Sequence, residues 1–95
     1  MSNDSLRVEW RPAALADLEA IFAYLLPLNP HAAERVVKEL AVAAGSLGNF
    51  PRRGRPGRVS GTRESPIVRP YVLVYEVRHD SVVVLRLWHG AQDRP

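Results

Sequence analysis

The sequence predicts an α+β domain of order β-α-α-β-β-β, a helical hairpin packed on a small antiparallel sheet. Two amphipathic stretches with a 3.6-residue period fill the first half of the chain, and β-branched and aromatic runs fill the second. Between them, residues 49–64 read NFPRRGRPGRVSGTRE, with two prolines and three glycines that rule out a helix interior. The 95 residues make one domain, 1–95, which buries only about 60–65% of its unfolded surface and therefore has a thin stability margin.

Leu6-Arg7-Val8-Glu9-Trp10 alternates apolar and polar residues, as a half-buried strand does. Pro12 suits the first turn of a helix, and Leu15, Leu18, Phe22 and Leu25, with Ile21 beside them, form a stripe over residues 12–26. Pro27 ends that helix. Asn29 and Pro30 restart it as cap and first turn, and Ala33, Val36, Val37, Leu40, Ala44 and Leu47 form the second stripe. Gly45 is a weak point inside the second helix and Gly48 is its stop. A short connection makes the two helices a hairpin.

Thr62–Ile67 reads as a short strand that Pro66 either confines to an edge or ends. Tyr71–Val77 is the clearest strand, His79-Asp80 a turn, and Val82–Trp88 the returning strand. A core of Leu18, Ile21, Phe22, Leu25, Val36, Val37, Leu40, Leu47, Leu73, Tyr75 and Leu85 is expected. The expected pairing sets Tyr71, Leu73, Tyr75 and Val77 on one face with Val83, Leu85 and Leu87, leaving Arg86 on a second, partly open face.

The charge is uneven. Residues 1–50 carry four basic and six acidic side chains, whereas residues 51–95 carry nine arginines and four acids. The second half therefore suits an anionic partner, either nucleic acid or an acidic protein segment. Arginine matches phosphate or carboxylate bidentately, so Arg52, Arg53, Arg55, Arg58 and Arg63 are the candidate binding residues. The plain alternative is a solvated loop. With no cysteine, neither disulfide nor thiolate chemistry is available. No apolar run approaches a membrane span, the N-terminus has no signal-peptide core, and a soluble, cytoplasmic protein is expected.

No phosphate loop, dinucleotide fingerprint or zinc spacing occurs, and no cofactor or metal is expected. His89 is the best candidate for proton transfer to a phosphodiester; as an alternative it is a strand-end histidine bonded to backbone. Arg86 suits a phosphate or a cross-strand ion pair with Glu76, and Trp88 suits a stacked base or an apolar cover for the sheet.

ADLEAIFAYL in the first helix, FPRRGRPGR and GTRE after the second, RPYVLVYEV in the main strand and VVVLRLWHGAQD at the end stand in the order of a known group. From about Val8 to Asp93 the chain resembles the ParE/RelE superfamily of toxins from bacterial toxin–antitoxin pairs. The resemblance implies a cognate antitoxin whose C-terminal segment covers the working surface. RelE-like members cut messenger RNA in the ribosome with basic residues and a C-terminal tyrosine or histidine, and ParE-like members poison DNA gyrase. Here no tyrosine follows Tyr75, no lysine follows Lys38, and Val72 stands where the ribonucleases often have arginine. GTRE, RPYVLVYEV and HGAQD are similar to the ParE branch. The resemblance thus implies a gyrase inhibitor acting by binding. A ribosome-dependent endoribonuclease using Arg63, Arg86 and His89 is the alternative, and a non-toxic member of a repressor complex is a third.

Overall fold

Helix formation follows the punctuation of the chain. In the computed structural model, which describes residues 5–90, Arg11 is extended and Pro12 opens α1 (Pro12–Leu25) without a side-chain cap. Asn29 is likewise extended, and its Oδ1 accepts the Ala32 N–H at 3.1 Å to cap α2 (Pro30–Ser46). Capping of this kind contributes about 1 kcal/mol. Gly45 is exposed within α2, and a Cβ added there meets nothing within 4 Å. Gly45→Ala should therefore stabilise the protein by about 0.5–1 kcal/mol, seen as a melting temperature raised by roughly 2–8 °C.

The sheet has five strands: β1 (Arg7–Trp10), β2 (Arg55–Pro56), β3 (Thr62–Ser65), β4 (Tyr71–Val77) and β5 (Ser81–His89), in the order β1-β5-β4-β3-β2. All pairings are antiparallel except β1 with β5, which is parallel: the helical hairpin carries the chain from β1 at one edge to β2 at the other, and the β2–β5 meander then brings β5 beside β1. The antiparallel β2–β5 meander and the two helices agree with the expected α+β class. The two-residue β2 was not expected; its Arg55-Pro56 lacks any apolar alternation.

The register differs from expectation near the turn. His79-Asp80 closes the hairpin so that Val77 opposes Val82, Glu76 opposes Val83 and Tyr75 opposes Val84. Val82 and Val84, fully buried, therefore join the helix-covered face in place of Val83 and Leu85. Leu85 of β5 bulges out opposite the Val74–Tyr75 step of β4, and the phase is restored beyond it. Val74 opposes Arg86 and Leu73 opposes Leu87, so Leu87 lies on the core face as expected and Arg86 does not. Leu85 is the unpaired extra residue and only half-buried.

The core joins Ala14, Leu40, Ala44 and Leu47 of the helices to Tyr71, Leu73, Tyr75, Val82, Val84 and Leu87 of the sheet. Leu18, Ile21 and Val36 pack on it half-buried, with Val8 and Trp10 from β1. Phe22, Leu25 and Val37 are half-buried rather than central, and Leu15 is 46% exposed. The reason is the rotation of α1. Ala14, fully buried, is the point of contact, and a small side chain lets the helix approach the sheet. That turns Leu15 outward and sets Asp17 against β5.

The second sheet face is also less open than expected. Val72, Val83 and Glu64 on it are 5%, 2% and 5% exposed. Arg58 and Val59 of the arginine-rich loop line a cavity of about 220 Å³ with Thr62, Glu64, Val74, Leu85, Arg86 and Trp88. The loop thus folds across part of the face that no regular element covers.

Candidate partner-binding site

The arginine-rich loop is tied to the sheet from beneath. Tyr75 is fully buried, and its ring places the hydroxyl against the loop backbone. That hydroxyl donates to the Pro51 carbonyl at 2.8 Å and accepts the Gly54 N–H at 2.9 Å. Gly54 is buried, and a Cβ there would sit 2.6 Å from the Tyr75 hydroxyl oxygen and 2.8 Å from the Glu64 carbonyl oxygen, so no other residue fits without displacement. Arg63, opposite Tyr75 on β3, donates from Nη1 to the Gly54 carbonyl at 2.6 Å and to the Arg52 carbonyl at 3.4 Å. Two side chains of adjacent strands therefore satisfy backbone groups at Pro51, Arg52 and Gly54, which fixes a segment that propensity alone would leave mobile.

Further along, Arg55 opposes Glu64 and its Nη2 lies 3.2 Å from Glu64 Oε1. The Glu64 side chain is 7% exposed, so this pair compensates a buried carboxylate. Arg53 stacks over the Phe50 ring at 4.6 Å and donates to Ser46 Oγ at 3.4 Å. The loop closes through the Val59 carbonyl, which accepts from both the Thr62 N–H and its hydroxyl, with Gly61 at φ 87°. The outcome is an exposed row of Arg52, Arg53, Arg55 and Arg58 on a pinned backbone. Arg63, the fifth candidate, is half-buried, and its bonds to the Arg52 and Gly54 carbonyls hold the loop itself.

Arg86 reaches a partner that sequence reading missed. Its Nε and Nη2 lie 2.7 and 3.0 Å from the two Asp17 carboxylate oxygens, and the Leu87 N–H donates to Asp17 Oδ2 at 2.9 Å. β1 pairs β5 only as far as Val84, so the edge beyond it is open for Asp17 of α1 to cap. The expected Glu76 pairing does not form; Glu76 opposes Val83 and binds Arg78 at 2.6 Å. The Asp17 hydrogen bonds push the Arg86 pKa up, which keeps that guanidinium charged. Arg86 also lies 5.1 Å over the Trp88 ring.

His89 opposes Tyr71 at the other end of the hairpin from Arg63, the two rings meeting edge to face at 5.6 Å. Burial pushes the Tyr71 pKa up, with a smaller contribution from Tyr24, so the phenol stays protonated near neutrality. Tyr71 and Tyr75 are four residues apart on β4, which separates the levels of His89 and Arg63 by about 13 Å. Arg86 and His89 line one groove between the helices and the end of the sheet, and Arg63 does not line it. Among the described residues no group of three potential metal ligands comes together, and no helix is long and apolar enough to cross a membrane.

Comparison with known proteins connects this architecture to one family. A family model described as the ParE toxin of the type II toxin–antitoxin system parDE matches residues 8–94. The chain belongs to the ParE toxin family. It is thus a type II toxin of the ParE/RelE superfamily. Among curated relatives, the putative toxin Y4kP of Sinorhizobium fredii is 38% identical over 90 residues, covering 94% of this chain and 93% of the relative. Toxin RelE2 of Caulobacter vibrioides is 41% identical over 86 residues, covering 90% and 97%. Among solved structures, the chromosomal ParDE system from P. aeruginosa superposes with a TM-score of 0.82 at 25% identity, covering 92% of this chain and 98% of that one. A chain of the toxin–antitoxin complex RelBE2 from Mycobacterium tuberculosis gives 0.64 at 29%, covering 90% and 98%. The ParE toxin fold is therefore shared with relatives named after both branches.

Proposed function

We propose that this ParE-family toxin inhibits DNA gyrase by binding, presenting the exposed arginines of the pinned loop to an acidic or DNA-containing surface, and that a cognate antitoxin silences it in the cytoplasm. The observation that carries this reading is the use of Arg63. A ribonuclease site must gather an acid, a base and a charge stabiliser around one phosphate. Arg63 is instead bonded to the loop carbonyls, about 13 Å along β4 from the level of His89. A binding surface needs no such convergence. It needs rigid, charged, hydrogen-bonding side chains, and Arg52, Arg53, Arg55 and Arg58 stand exposed on a backbone held by Tyr75 and Arg63. An antitoxin tail carrying acidic and apolar residues suits the same loop, and its affinity should fall with rising salt.

The expected result is inhibition of gyrase supercoiling by the purified toxin. His89→Ala should leave the inhibition largely intact. Replacing Arg52 and Arg58 with glutamine should weaken it by roughly tenfold, the loss of one to two charge-assisted contacts. Arg63→Ala should weaken it through the loop and also lower the melting temperature. A second reading, ribosome-dependent messenger cleavage, draws support from Arg86 and His89 lining one groove.

A further inference from the structure

The chemistry of the arginine-rich loop narrows the class of surface it meets. Across residues 49–64 the one acid is Glu64, whose side chain is 7% exposed with the Arg55 guanidinium 3.2 Å away. The loop therefore shows cations to solvent and no open carboxylate. Arg52 is exposed, and its side chain makes no hydrogen bond or ion pair among the described residues. Arg53 donates to the neutral Ser46 hydroxyl and lies over the Phe50 ring, contacts that leave its charge uncancelled.

An acidic protein surface matches this loop poorly. Protein interfaces are built on buried aromatic and aliphatic anchors, with charge at the rim. The large apolar side chains exposed on the loop are Phe50 and Val59, and they flank the arginine row, one before Arg52 and one after Arg58. Strand addition fits no better. The edge strand β2 has two residues, and its Pro56 has no N–H to give. Single-stranded nucleic acid needs open aromatic faces for its bases, and Phe50, the one aromatic residue of the loop, carries Arg53 4.6 Å from its ring centre. Duplex DNA needs none of these. Its outside is a regular ladder of phosphates, which planar guanidiniums bind bidentately. A row held by Tyr75 and Arg63 keeps its spacing before contact, so little ordering is lost on binding.

We infer that the loop binds the phosphate backbone of duplex DNA directly, without regard to sequence, with Arg52 and Arg53 as the charge-carrying contacts. The inference rests on the reading of this loop as the toxin's binding surface, and it commits that surface to the DNA that gyrase holds.

The experiment titrates a labelled random-sequence duplex of about 20 base pairs with the full chain, without gyrase, and follows anisotropy as salt rises from about 50 to 200 mM. Arg52→Gln/Arg53→Gln should weaken binding about tenfold and flatten the log–log salt slope by about 1.8, as expected for two lost phosphate contacts. Arg52→Lys/Arg53→Lys keeps both charges and should restore the slope, which a merely structural role of the two residues would not bring about. Arg7→Gln removes a charge from β1, at the opposite edge of the sheet, and should leave the slope unchanged. If the glutamine pair lowers the melting temperature, the lysine pair decides: an unrestored slope in a folded protein overturns the inference. So does a slope that ignores Arg52 and Arg53, or tighter binding of a single-stranded oligothymidylate than of the duplex. Polyglutamate that binds through these arginines where the duplex does not bind would assign the loop to an acidic protein and overturn it too. The gyrase reading fails separately: duplex binding without loss of supercoiling overturns that reading and leaves this inference standing, whereas supercoiling lost without any duplex binding does the reverse.

Discussion

Tyr75→Phe should lower stability by about 2–4 kcal/mol although it removes a single oxygen. Phenylalanine fills the same space, so packing is unchanged. What is lost is the acceptor for the Gly54 N–H and the donor to the Pro51 carbonyl, at 2.9 and 2.8 Å. Gly54 is buried, and stranding a buried polar group costs about 1–3 kcal/mol each. For a domain of this size the melting temperature should fall by roughly 10–20 °C. Amide exchange at Gly54 should accelerate more than exchange in α2, because the loop opens first. An unchanged melting curve would mean that these groups find other partners, and Tyr75 would then be an ordinary core residue.

Leu40→Ala should destabilise the protein by about 2–5 kcal/mol, and Phe22→Ala by clearly less, about 1–2 kcal/mol. Leu40 is 1% exposed within the core cluster that joins the helices to the sheet. Phe22 is half-buried and stands outside the residues that pack on that core. Chemical denaturation of the two variants orders them directly. A larger loss at Phe22 would place the α1 contact on the Leu15–Phe22 stripe rather than at Ala14.

That contrast shows where the chain was legible. Element order, both helix starts and the main strands follow from prolines, Asn29 and β-branched runs, which act locally. The face of α1 was misjudged because periodicity weighs side-chain size, whereas the contact is made by Ala14, where smallness sets the distance. The hairpin register needed the bulge at Leu85, and nothing in alternating valines marks which residue is skipped. Asp17 lies off the apolar stripe of α1, and nothing local marks its role, which depends on β1 ending at Val84, a tertiary fact. The five loop arginines were legible as a cluster. Their division into four exposed side chains and one anchor was not, because Arg63 is assigned by its position opposite Tyr75.

The central claim is that this toxin works through a binding surface and not through a phosphodiester site. The most direct measurement follows messenger integrity in translation on purified ribosomes with a defined transcript, beside gyrase reactions containing the same toxin preparation. Intact messenger is expected together with gyrase-linked DNA breaks or lost supercoiling, both insensitive to His89→Ala. Cleavage of the messenger within the ribosomal A site, abolished by His89→Ala and absent without ribosomes, would contradict it.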